Sequence, residues 1–254
     1  MQLHVVMINF CRRVAPAASL VLLLNGYASA QTPPPPPRQE AKAEFALVST
    51  SGNADSQTLA AAGEATFRPT NWVLLGKAGF VRNEADDVVS AKSFTSLERV
   101  SRVLTPRLQA FGQHAYLRDL FAGVESRNNI DGGLAYQLIH TARNSLFADA
   151  GLGYLNEQRV KAEALSTATG TAGTRYKLQI STTSDLTDDL ITSFDFSSDG
   201  TWRLNHVIAL TARIASIFSL KLSNQVRFVD EPVPGFERTD SITAAALVMA
   251  FSRP

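Results

Sequence analysis

Three stretches of this chain alternate apolar and polar residues one for one, and no other feature restricts its fold so tightly. "FSLKLSNQVRF" sets Phe218, Leu220, Leu222, Val226 and Phe228 against Ser219, Lys221, Ser223, Gln225 and Arg227. "TRYKLQIST" sets Tyr176, Leu178 and Ile180 against Arg175, Lys177, Gln179 and Ser181. "LITSFDFSS" does the same with Leu190, Phe194 and Phe196 against Ser193, Asp195 and Ser197. Successive side chains of an extended chain point to opposite faces, so a period of two divides one apolar face from one polar face. No stretch of similar length keeps a helical period. The chain is expected to be all-β.

The breaks between the expected strands alternate in length. Tight ones fall at "RPTNW" (68–72), "LTPRL" (104–108), "TARNS" (141–145), "LTDDL" (186–190) and "SIFS" (216–219). Roomier, more polar ones fall between them: "SGNADS", "NEADDVVS", "LFAGVES", "VKAEALSTATGTAG", "SDGTWR" and "VDEPVPGFERTD". Five tight and six roomy breaks predict twelve strands. Each then has about 17 residues with its connection, enough for the 9–11 that a tilted strand needs to cross a bilayer. Short turns at one end, longer loops at the other and an even strand count predict an antiparallel up-and-down transmembrane β-barrel. "SGNADS" (51–56) offers alternating oxygens, but a calcium loop needs more carboxylates and a longer ligand run. Gly52, Asn53 and Asp55 are turn-formers, so a hairpin reversal is expected there.

The polar faces carry Lys77, Asp149, Arg175, Lys177, Asp195, Arg213, Lys221 and Arg227, which are candidates to face the lumen of such a barrel. This partial set is rich in cations, and an open lumen of that charge would favour anions. Strand 90–104 has no clear phase, so acids from there would offset the excess. A soluble sandwich also alternates; the N-terminus argues against it. Arg12-Arg13, an apolar run from Val14 to Leu24 and Ala28-Ser29-Ala30 form a secretory signal peptide with cleavage after Ala30. The run falls well below the roughly 20 residues of a spanning helix. Cleavage removes Cys11, the one cysteine, which excludes disulfides and thiol chemistry. Residues 1–30 are thus expected to be the signal peptide, 31–42 a proline-rich periplasmic linker and 43–254 the barrel domain in the outer membrane of a Gram-negative bacterium. Thr243, Ala245, Leu247, Met249 and Phe251 form one face of a last strand ending on an aromatic residue. Expected partners are accordingly outer-membrane lipid and, through this strand, the barrel-assembly machinery. Basic and acidic residues are nearly balanced, and no basic run exists to recruit nucleic acid.

Chemistry finds few footholds. His114, His140 and His206 lie far apart in sequence, and none is followed two residues on by a serine, the pattern outer-membrane lipases use. Each is expected to be a polar lumen or turn residue; no catalytic, cofactor or metal site is expected. Gly132, Gly133, Gly151 and Gly153 flank the tight turn at 141–145, and counting outward brings Gly133 near Gly153. They read as a close backbone approach where the wall curves rather than as room for a ligand.

Several stretches together carry a family resemblance: "LVSTSGNADSQTL", "LTPRLQAFGQHAYLRD", "IDGGLAYQLI", "LFADAGLGYLNEQ" and "FVDEPVPGFERTDSITAAALVMAF". Almost the whole of the expected mature domain resembles the YdiY-like family of salt-induced outer-membrane proteins. It departs at Gly132-Gly133-Leu134-Ala135-Tyr136, where the family favours a glycine-leucine-glycine-tyrosine run. The resemblance implies an outer-membrane β-barrel, a salt- or envelope-stress setting and no catalytic residue. Two classes stay open: a passive barrel, narrow or plugged or else a porin-like channel for small solutes, anions included; and a lipid-acting barrel enzyme, which the missing His-x-Ser pattern opposes. A soluble periplasmic binding barrel is a third. Confined charges that pair with one another favour a closed or very narrow lumen. The mature protein is expected to begin at Gln31 and to fractionate with outer membranes. An intact mass starting at Met1, or recovery without detergent, would contradict this.

Overall fold

The computed structural model describes residues 36–50, 56–85, 88–196 and 200–253. The expected signal peptide and the turn at 51–55 lie outside the described residues. Twelve strands follow in order: β1 (Gln39–Thr50), β2 (Ser56–Phe67), β3 (Trp72–Ala85), β4 (Val88–Val103), β5 (Leu108–Asp119) and β6 (Val124–His140). They continue with β7 (Asn144–Arg159), β8 (Leu165–Gln179), β9 (Ser184–Asp195), β10 (Trp202–Arg213), β11 (Phe218–Val229) and β12 (Thr239–Arg253). Each strand pairs antiparallel with its sequence neighbours, and β12 returns to pair with β1, so the sheet closes into an up-and-down barrel. Closure gives every strand a hydrogen-bonded neighbour on both sides, which a lipid environment requires. β1 starts at Gln39, so the sheet takes the last four residues assigned above to the linker.

Side chains are distributed inside-out. Phe45, Leu47, Leu74, Ile130, Leu134, Leu152, Leu220 and Leu222 are exposed on the outer wall. Arg99, Asp119, Asp131, Glu157, Asp195 and Arg203 are buried within. A soluble protein buries apolar groups and solvates charge; this barrel does the reverse, as one with a lipid-facing wall must. Phe67, Trp72, Tyr136 and Phe251 sit at the tight-turn end, while Trp202 and Phe228 stack 4.7 Å apart at the loop end. These are the two levels where membrane barrels place aromatic girdles.

Two strand boundaries differ from those expected. "LTDDL" is not a turn but lies inside β9, and the reversal falls at 180–183. There Ile180 N–H donates to Ser184 O at 3.0 Å and Thr183 N–H to Ser181 Oγ at 3.1 Å. Asp185 and Asp189 are polar-face residues of a strand, alternating with Leu186 and Leu190. Most of the long break expected at 160–173 is strand as well, because β8 begins at Leu165. Its alternation runs through Ser, Thr, Ala and Gly, which differ too little in hydropathy to show a period. The remaining tight turns fall near their expected places, closed by bonds such as Trp72 N–H to Pro69 O and Thr141 N–H to Asn144 O, both 2.8 Å.

Leu222, fifth of the twelve residues of β11, is exposed on the outer wall between Leu210 and Ala245. Leu222→Arg should destabilise the barrel by about 2–4 kcal/mol, the cost of a cation near the bilayer midplane. Lys221→Gln, on the inner face next door, should cost well under half as much. Unfolding in lipid vesicles measures both.

Candidate functional site

The inner face is an ion-pair network in three tiers. Near the tight-turn end, Glu64 lies 3.1 Å from both Lys42 and Lys77, and Lys221 holds Glu44 at 2.8 Å from two strands away. Midway, Asp149 accepts from Arg99 at 3.1 Å and from Arg175 at 3.2 Å. Toward the loop end, Glu157 takes Arg127 and Arg159, Asp195 takes Arg203 at 3.4 Å, and Asp119 takes Arg227 at 3.2 Å. All eight candidates from the sequence sit on this inner face. Lys77, Arg175, Lys177, Arg213, Lys221 and Arg227 line the cavity, and Asp149 and Asp195 lie in the pairs just described. The three-to-one cation excess of that partial set does not survive: Glu44, Glu64, Asp119, Asp131, Glu157, Asp185 and Asp189 also face inward, against the further cations Lys42, Arg99, Arg127, Arg159 and Arg203.

Those acids were missed for identifiable reasons. Glu44 and Glu64 stand among alanines, where hydropathy alternates weakly. In β4 the apolar Leu97 faces inward and the charged Glu98 outward, which erases the phase of the strand that carries Arg99.

One side of the barrel is packed shut. Gly133 and Gly151 are cross-strand partners, and Gly153 faces Asp131. A bulge between Gln137 and Ile139 shifts this register from the one obtained by counting outward from the turn. A Cβ on Gly133 would lie 2.1 Å from Ala150 O, and one on Gly153 2.3 Å from Asp131 Oδ1. Phe111 is buried over this glycine floor, 3.3 Å from where a Gly151 Cβ would be, with the Arg99 guanidinium 3.7 Å above its ring centroid. The glycines therefore admit an aromatic side chain and a carboxylate of the protein itself; Gly132 faces outward. What remains is a cavity of about 1110 Å³ lined from all twelve strands, reaching from Arg213 at the tight-turn end to Pro232 and Val233 at the loop end.

Side chains span the loop end of this cavity. β5 and β11 lie six strands apart in either direction around the barrel, so the Asp119–Arg227 pair crosses the mouth. Asp119 also caps the 3₁₀ turn after it, accepting from Ala122 N–H at 3.2 Å. The turn ends at Gly123, whose φ of +78° suits glycine. Over Gly123 lie Phe236 and Val233 from the β11–β12 loop: a Cβ there would meet Phe236 Cδ2 at 2.9 Å and Val233 Cβ at 3.1 Å. Val233 is buried, and Phe236 N–H donates to its carbonyl at 3.0 Å. The loop end is roofed by its own loop.

Two of the three histidines are not where expected. His114 and His206 lie on the outer wall: His114 Nδ1 is 3.0 Å from Glu98 and Nε2 3.2 Å from Asn128, while His206 Nε2 is 3.0 Å from Asp188. Their strand phase is opposite to that of the lumen residues Gln113 and Asn205, which hydropathy alone does not disclose. His140 closes β6 at the tight-turn rim, 2.8 Å from Gln137. No group of three metal-ligating side chains occurs among the described residues.

Closed wall, inverted side-chain distribution and charged lumen define an outer-membrane-type β-barrel. The chain belongs to the family described as Protein of unknown function, DUF481, whose model matches residues 43–251. Its fold is similar to that of an outer membrane channel from Pseudomonas putida F1, at 10% identity and a TM-score of 0.51, over 89% of this chain and 100% of that one. The translocator domain of autotransporter NalP from Neisseria meningitidis (11% identity, TM-score 0.47, 83% and 86%) and the NanC porin (8%, 0.44, 85% and 99%) resemble it more loosely. A comparison with curated proteins finds no match.

Because Gly153 has backbone at contact distance, Gly153→Ala should destabilise the barrel by about 1–3 kcal/mol. Gly76→Ala, on the outer wall with nothing within 4 Å of the new methyl, should stay within about 0.5 kcal/mol of the parent. Urea unfolding in lipid vesicles distinguishes them.

Proposed function

We propose that this protein is an exported outer-membrane barrel of a Gram-negative envelope whose lumen is closed at its loop end, a plugged barrel rather than a general porin. The observation that carries the proposal is the mouth itself, with Asp119–Arg227 spanning it and Val233 and Phe236 seated on Gly123 across it. In this reading the loops lie outside the cell and the tight turns in the periplasm, which the alternating connection lengths support. Its setting in salt or envelope stress rests on the resemblance to the YdiY-like family. The second reading, a passive narrow channel, draws on the cavity that runs most of the barrel's height. Its mixed lining gives no reason to expect strong anion preference. A lipid-acting enzyme is disfavoured by His114, both of whose ring nitrogens are held by Glu98 and Asn128.

Purified protein in a planar bilayer should conduct little or nothing. Raising salt from about 0.1 to 1 M shortens the Debye length from about 10 to 3 Å and weakens exposed pairs most. The side chains of Arg227 and Asp119 are only 17% and 12% exposed, so the mouth should stay shut across that range. Arg227→Met should raise conductance while the folded barrel keeps its heat-modifiable gel mobility. Large, stable, non-selective steps from the parent protein would overturn the proposal and make general porin the better description.

A further inference from the structure

We infer that the loop-end wall of the cavity is a binding site for an oxyanion, a carboxylate, sulfate or phosphate group carried by a dissolved solute. Three guanidinium groups, Arg127, Arg159 and Arg203, meet there around two carboxylates, Glu157 and Asp195. They come from β6, β7, β9 and β10, and each residue stands within four positions of its strand's loop end.

The arrangement places acid behind and base in front. The side chains of Glu157 and Asp195 are 2% and 1% exposed, whereas those of Arg127 and Arg159 are 19% and 23% exposed and line the cavity. A solute at this wall therefore meets the guanidinium groups ahead of Glu157 and Asp195. Arg127 and Arg159 both reach Glu157 through Nε, at 2.5 and 2.7 Å, and so share one carboxylate. Their terminal nitrogens have no carboxylate partner among the described residues, and that planar end is the one that grips an oxyanion through two parallel hydrogen bonds.

Arg203 supplies an independent sign that the cluster lacks a partner. Its side chain is only 9% exposed and donates through Nη1 to Asp195 at 3.4 Å, yet its Nε and Nη2 have no hydrogen-bond partner among the described residues. A buried charged donor left unpaired is costly, and in this cluster three guanidinium groups surround two carboxylates. A bound oxyanion supplies the missing acceptor. Glu231, Glu237 and Asp240 line the same cavity, but among the described residues no ion pair joins them to these arginines. The site lies inside the barrel, which excludes a lipid headgroup as the source of the anion. This inference rests on the barrel and its lumen but not on closure of the mouth. Calorimetry reads it without any current flowing, so it fails or stands apart from the bilayer recording.

The test is isothermal titration of detergent-solubilised protein with sodium sulfate, against sodium chloride matched in ionic strength. The expected result is saturable binding of sulfate at one site per chain. It should weaken at least tenfold in Arg159→Gln and in Arg127→Gln and stay unchanged in Lys92→Gln, a change of the same charge on the outer wall. Heat-modifiable gel mobility establishes that each variant is folded, and either arginine variant suffices if the other fails to fold. Absence of saturable heat with the parent protein, or undiminished affinity in a folded arginine variant, would overturn the inference.

Discussion

Everything in this barrel follows from confining charge inside a closed sheet. Once β12 pairs with β1, every strand's polar face points into one narrow space walled off from lipid. Like charges held there unpaired repel strongly, so each inner strand must meet opposite charge on another. Three of the resulting pairs join strands that are not neighbours: Lys221 on β11 to Glu44 on β1, Arg99 on β4 to Asp149 on β7, Arg227 on β11 to Asp119 on β5. Twelve strands enclose a lumen small enough for such side chains to reach one another. The network that pairs the interior charges also narrows the lumen.

Packing adds a second asymmetry. On the β4–β7 side, the missing side chains of Gly133, Gly151 and Gly153 let Phe111 and Asp131 press against the wall, and Arg99 closes over the ring. The open space is thereby displaced from that patch of wall. Outside, polar residues are paired where they face lipid: Glu98 with His114, and Asp188 with His206. Hydrogen bonding between partners offsets part of the cost of keeping such groups on a lipid-facing wall.

The sequence disclosed what depends on local contrast. β11 and the second half of β8 alternate Leu with Lys or Gln, so their faces, and with them the positions of Lys177, Lys221 and Arg227, were legible. β9 was cut by a false turn because adjacent aspartates, Asp188 outward and Asp189 inward, look like a polar break. The start of β8 was hidden by small residues, and β4 by Leu97 facing in and Glu98 facing out. Partners were not legible at all. Asp119 and Arg227 stand 108 residues apart, and only the closed strand order brings them together across the mouth. The docking of Phe236 on Gly123 is invisible for the same reason, although glycine and proline in "PVPGF" mark the loop as a shaped turn.

The claim that matters most is that the roofing loop rests on the far rim in the native barrel. The chain's single cysteine, Cys11, lies in the expected signal peptide, so cysteines introduced at Ala122 and Glu237 in the mature barrel would be the only sites for spin labels. Pulsed electron-electron resonance on that doubly labelled protein in lipid nanodiscs measures the distance between the β5–β6 turn and the β11–β12 loop. A single narrow population at short distance is the result expected of a mouth held shut. A broad distribution reaching the full width of the barrel would contradict it, because the loop would then stand clear of the lumen.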